Sequence, residues 1–163
     1  MDIELQLRQE DARLVFLAVA HHLGRPGSEL DPLTKQPVEH GLAEVSRAMQ
    51  PQMRNAVTTL RLNQDQVARL QSGMLGSITE LKAYALLRPR DDTGRRSTVP
   101  GFDGSLLHLF PEVEADVEIS LDIAERMLML KRRLDERLAE MPPDAPSKSQ
   151  TSKPKKGLWP FKR

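Results

Sequence analysis

Twelve prolines punctuate this 163-residue chain, and the places where they are missing constrain its fold more than any other feature. Proline lacks a backbone N–H and disfavours helical geometry in the residue before it, so long helices are confined to proline-free runs. Prolines at 26, 32, 37, 51, 89, 100 and 111, and again from 142 onward, leave two such runs, 52–88 and 112–141. Both are predicted to be helices, forming the long antiparallel pair of a small all-α bundle of four to five helices.

In the first run, Met53, Val57, Leu60, Gln64, Val67, Gln71, Met74, Ile78, Leu81 and Ala85 alternate steps of four and three. That is the 3.5-residue period of a coiled-coil seam, and Leu70, Leu75 and Leu86 widen it to the stripe of a bundle helix. Gln64 and Gln71 interrupt the seam, where single polar residues fix register or sit at its edge and reach solvent. Gly73 and Gly76 each cost about 1 kcal/mol against alanine in a helix interior. Either the helix breaks near 72–77, or a neighbouring backbone comes unusually close there.

The second run opens at Pro111, and Glu112, Glu114 and Asp116 suit the positive end of a helix dipole. Val113, Val117, Ser120, Ala124, Met127, Lys131, Leu134, Leu138 and Met141 repeat the four-three spacing, with Leu121, Leu128 and Leu130 beside it. Lys131, Arg132, Arg133 and Arg137 gather toward the negative end, and Pro142-Pro143 stops the helix.

Upstream, 9–23 is apolar on nearly all sides and ends at Gly24, which predicts a central buried helix. Ile3, Leu5 and Leu7 alternate with polar residues at the period of a strand. No partner strand is evident, and this signal is discounted. Residues 24–38 read as a loop, 38–49 as a short helix with Leu42, Val45 and Met49 on one face, and 105–110 as a helical turn. The folded domain is thus expected to span 1–141. Residues 142–163 are rich in Pro, Ser and Lys with almost nothing to bury, the composition of a disordered tail.

The same composition narrows function. No cysteine is present, which removes thiolate metal sites, disulfides and cysteine nucleophiles. A Ser-His-Asp arrangement, a phosphate-binding glycine loop and a dinucleotide fingerprint are all missing, so neither catalysis nor a cofactor is expected. The longest apolar stretch, 14–20, is far short of the roughly 20 residues that cross a bilayer, and Met1 to Arg8 has no signal-peptide pattern. A cytoplasmic protein is expected.

Four local features carry candidate chemistry. His21 and His22, with His40 and Glu44 one helical turn apart, offer metal ligands only if they converge; helix C-terminal histidines otherwise complement the dipole, and no metal site is expected. Arg88, Arg90, Arg95 and Arg96 lie in a turn-rich stretch and form a possible anion-binding loop, in which Arg95-Arg96-Ser97-Thr98 has a form read by basophilic kinases. Gln64, Val67, Ala68, Gly73, Leu75 and Ile78 space themselves in a way that resembles the helix-turn-helix of repressor-type DNA-binding domains, covering 64–84. The resemblance implies a DNA-binding regulator, but Gln71 stands where that family buries an apolar residue and Lys82 is the sole base in the recognition segment.

The fourth feature is the tail. Lys155, Lys156, Leu158, Trp159, Phe161, Lys162 and Arg163 place the only tryptophan and one of four phenylalanines in a segment otherwise poor in apolar residues. Exposed aromatics on a basic linker predict a docking peptide for an unidentified protein partner, or alternatively for an anionic membrane surface. The near-neutral net charge of +1 divides accordingly: 142–163 holds six bases and one acid, and 1–141 holds 18 bases and 22 acids. An acidic body makes nucleic acid an unpromising partner. The expected function is a non-enzymatic interaction or adapter protein, its helical scaffold forming a homo-oligomer, most simply a dimer, through leftover apolar stripe.

Overall fold

The computed structural model describes residues 2–86 and 96–141. The chain enters through a strand, β1 (Ile3–Arg8), and turns directly into α1 (Gln9–Gly24). A loop leads to α2 (Leu42–Met49), a 3₁₀ turn at Gln50–Gln52 leads to β2 (Val57–Leu62), and then comes the long α3 (Gln64–Leu86). After residue 96 follow α4 (Phe102–Leu109), a 3₁₀ turn at Pro111–Glu114 and α5 (Ile119–Ala139). The architecture is mostly helical with one two-stranded antiparallel sheet, β1 against β2.

The sheet corrects both the all-α expectation and the helix expected from residue 52. Leu5 faces Leu60 and Ile3 faces Leu62 across the ladder, and with Leu7 and Thr58 they point into the core. Outward, Glu4 meets Arg61 at 3.3 Å. Val57 and Leu60 fit a helical seam by spacing alone, yet the inward set is Thr58, Leu60 and Leu62 at period two, and Val57 is 50% exposed. The alternation discounted in Ile3, Leu5 and Leu7 therefore has its partner after all. Gln52 ties the preceding turn to the strand: its Nε2 donates to the Ala48 and Thr59 carbonyls, and its Oε1 accepts the Thr59 N–H at 3.0 Å.

What starts α3 is a reciprocal capping box. Asn63 Oδ1 accepts the Gln66 N–H at 2.8 Å, and Gln66 Oε1 accepts the Asn63 N–H at 2.9 Å, so two donors that no helical carbonyl reaches are satisfied. Removing this cap with Asn63→Ala is expected to lower stability by about 1 kcal/mol, measured by urea denaturation; an unchanged midpoint would show that the cap contributes nothing.

From there α3 runs unbroken past Gly73 and Gly76, because the second of the two alternatives holds. A Cβ on Gly73 would sit 2.5 Å from the Ala18 carbonyl oxygen, and one on Gly76 would strike the His21 ring. These glycines let α1 lie against α3. The continuous helix also removes the tight turn on which the DNA-binding resemblance depends.

α1 occupies the centre, packing on the sheet and on all four other helices. Ala12, Leu14, Val15, Leu17, Ala18 and Val19 are all buried, as an all-round apolar helix requires. α5 begins at Ile119 and not at 112, since Pro111–Glu114 forms a 3₁₀ turn and Asp116 Oδ1 captures the Glu118 N–H at 3.0 Å, resetting the backbone. α2 starts at Leu42, four residues later than expected, with Glu29 Oε1 accepting the Leu42 N–H at 2.8 Å. α4 takes in Phe102, whose ring is fully buried. Leu75 and Leu86 on α3, and Leu121 and Met129 on α5, remain exposed; they are the leftover apolar surface on which the dimer expectation rests. Among the described residues no helix is long and apolar enough to cross a membrane.

Candidate functional site

The layers do not close completely where β1, α1, α3 and α5 meet. A cleft of about 210 Å³ opens there. β1 contributes Leu5 and Leu7 from its inward face, α1 contributes Val15, and α3 contributes Leu70 and Met74. Leu130 and Leu134, one turn apart on α5, form the opposite wall. All seven side chains are buried and belong to the core itself, and the exposed Gln6 of β1 also lines the cleft.

The open side is charged. Arg133 and Arg137 are also one turn apart on α5, and both line the cleft from its exposed edge. Arg133 Nη2 stands 3.4 Å from both carboxylate oxygens of Asp11, a loose contact, and its side chain is 63% exposed. Among the described residues Arg137 has no ion-pair partner. Two guanidinium groups against one carboxylate leave a net positive mouth on an otherwise acidic body.

The wall bearing these arginines is held in register by a polar clasp. Gln71 Nε2 donates to Asp135 Oδ1 at 2.6 Å, and Lys131 Nζ donates to Asp135 Oδ2 at 2.7 Å. The Lys131 ammonium, with Gln71 adding a further hydrogen bond, holds the Asp135 carboxyl below the usual carboxylate range. Gln71 thus takes the register-fixing role, between α3 and α5. Gln64 is exposed at the start of α3.

The four candidate metal ligands are divided between distinct surroundings. His40 Nδ1 lies 2.9 Å from Glu44 Oε2 at the surface, where that hydrogen bond and its charge raise the imidazole pKa. They line a second, more polar hollow of about 410 Å³ together with Asp2 and Arg61. His21 and His22 are buried instead, and desolvation lowers the pKa of each, so they do not serve as charged complements to the helix dipole. His22 Nε2 is 3.4 Å from Glu29, and His21 meets Phe102 edge-on at 5.6 Å between ring centroids. Among the described residues no three or more His, Asp or Glu side chains gather into a metal site.

Of the arginine loop, Arg96 alone is described; Arg88, Arg90 and Arg95 lie outside the described residues. The Arg96 guanidinium covers the Tyr84 ring at 5.3 Å and donates to the Tyr84 carbonyl at 3.2 Å, which ties the segment to α3. Asp103 accepts the Arg96 and Ser97 N–H groups, and buried Glu80 accepts the Thr98 N–H and hydroxyl. Ser97 is buried, its hydroxyl donated to the Val99 carbonyl. The tail candidates Lys155, Lys156, Leu158, Trp159, Phe161, Lys162 and Arg163 also lie outside the described residues.

Sequence reasoning missed the cleft. Arg133 and Arg137 read as bases complementing a helix C-terminus, and their i, i+4 spacing does put them on one face. Five of the seven apolar wall residues, however, come from three other elements far away in the chain. No family model, curated protein or solved structure matches this chain.

Proposed function

We propose that the protein is a non-enzymatic interaction protein, its helical body a rigid scaffold and its Leu158-Trp159-Pro160-Phe161 segment a docking peptide. One observation carries this reading: the unequal division of residue types along the chain. The body draws its core from aliphatic side chains and the rings of Phe102, Phe110 and Tyr84, whereas the only tryptophan falls within a basic stretch rich in Pro, Ser and Lys. A large aromatic buries more surface for its conformational entropy than any other side chain, which is why tryptophan anchors so many protein contacts.

The test compares what co-purifies with the full chain, with residues 1–141, and with a Trp159→Ala variant. Partners held by the full chain are expected to be lost from both altered forms. An unchanged set across all three defeats the proposal. The tail's six bases against one acid favour an anionic membrane surface as a second reading. Because Trp159 is the sole tryptophan, its emission reports on the tail alone. A blue shift with vesicles rich in phosphatidylglycerol, absent with phosphatidylcholine, would select the membrane; no shift with either leaves the protein partner.

A further inference from the structure

We propose that the cleft between β1, α1, α3 and α5 binds a small amphiphilic organic anion, for which an unbranched alkyl carboxylate is the best fit. This goes beyond the docking reading and does not depend on it, since every residue involved belongs to the body.

The argument starts from the walls. Val15, Leu70 and Met74 line the inner side of the cleft, where α1 meets α3, and are almost wholly buried. A volume of about 210 Å³ is larger than the roughly 150 Å³ of an engineered enclosed cavity that takes up benzene, with the difference that this cleft is open to solvent along one side. The polar lining residues Gln6, Asp11, Arg133 and Arg137 all keep contact with solvent whereas the apolar ones are buried, so an apolar chain is favoured on the buried side of the cleft. The open side adds the second requirement. Arg133 and Arg137 project from successive turns of α5, and Asp11 offsets only one of them. Guanidinium groups present paired donors that match a carboxylate, and a ligand charge placed there remains in reach of water while its chain is buried.

Charge complementarity separates this occupant from the others available. The chain's own tail carries six bases and would meet two arginines. A second copy would bring an acidic body, but helical or sheet surface cannot enter a cleft floored by core side chains. A slender chain with a negative head satisfies both the floor and the mouth.

Octanoate is the probe, titrated into isotopically labelled full-length protein and followed by the methyl signals of Val15, Leu70 and Met74. The expected result is saturable binding, with affinity rising about fourfold for each methylene from butanoate to octanoate and then levelling once the cleft is full. Octylammonium, equal in length and opposite in charge, is expected to bind at least tenfold more weakly. An Arg133→Gln/Arg137→Gln variant changes only exposed side chains and is expected to fold normally, which its thermal midpoint checks, while losing at least tenfold in octanoate affinity. Equal binding of octylammonium, no dependence on the two arginines, or no saturable shift of the three residues would overturn the proposal. So would displacement of octanoate by a peptide of residues 151–163, which would assign the cleft to the tail.

Discussion

Gly73→Val will destabilise the protein by about 3 kcal/mol or more, the largest loss expected from any single glycine replacement in α3. The reason is the approach of two helices. A Cβ at 73 would lie 2.5 Å from the Ala18 carbonyl oxygen, 3.3 Å from the carbonyl carbon and 3.5 Å from the His22 Cβ. The first two atoms belong to the α1 backbone, which no rotamer change can move, so the helices must separate. Gly73→Ala is milder because alanine recovers about 1 kcal/mol of helix propensity. At Gly76 the obstruction is the His21 ring, a side chain, but a buried one already seated on Phe102. Gly104 in α4 supplies the control. A Cβ there meets nothing within 4 Å, so Gly104→Ala is expected to stabilise by up to about 1 kcal/mol. Urea denaturation of the series reads the order directly. If Gly73→Ala proves as stable as the unaltered chain, the close approach of α1 and α3 is wrong.

That approach is also where the sequence was most informative. A helix former such as 64–86 does not place two glycines in its interior without a reason, and the choice between a break and a close neighbour is legible in those two glycines alone. α1 was legible because it is apolar on every side. The bounds of α5 were legible at its C-terminal end, where basic residues and a proline pair agree. Its N-terminal end was not, because Pro111, Glu112 and Glu114 begin a 3₁₀ turn as readily as an α-helix.

The sheet was obscured by an accident of spacing. Val57 and Leu60 continue the seam of Val67, Met74 and Leu81 backwards by the same steps, so a period of 3.5 absorbed a segment whose inward residues alternate. Asn63 and Gln66 marked the true helix start, three residues apart as a capping box requires. The cleft was illegible for a different reason. Periodicity reports which face of one element is buried, whereas the cleft is a shortfall in packing among four elements. The net positive mouth likewise depends on Asp11 and Arg133 meeting from opposite ends of the body.

Lowering the pH through the ordinary imidazole range will destabilise the fold, and His21 and His22 will account for most of the loss. Both are buried, and desolvation is the main cause that lowers each pKa from 6.5. Glu80 opposes the shift at His21, and Glu29 opposes it at His22; Arg25 reinforces it at both. A depressed folded-state value means that the unfolded chain takes up the proton first. Stability is therefore intact above 6.5 and falls below it, until the folded form is protonated as well. Each histidine contributes at most about 1 kcal/mol per pH unit, so the loss from the pair between pH 7.5 and pH 5.5 has a ceiling of about 3 kcal/mol. His40 acts in the opposite direction, because its pKa is raised, but it is fully exposed and solvent screens its pair with Glu44. Asp135 does not interfere, since its carboxyl titrates below 3.8. Urea midpoints at the two pH values test the expectation against His21→Gln and His22→Gln, each of which should remove up to about half of the pH-dependent loss. A midpoint that stays level between the two values would place both imidazoles in contact with water and contradict their burial between α1, α3 and α4.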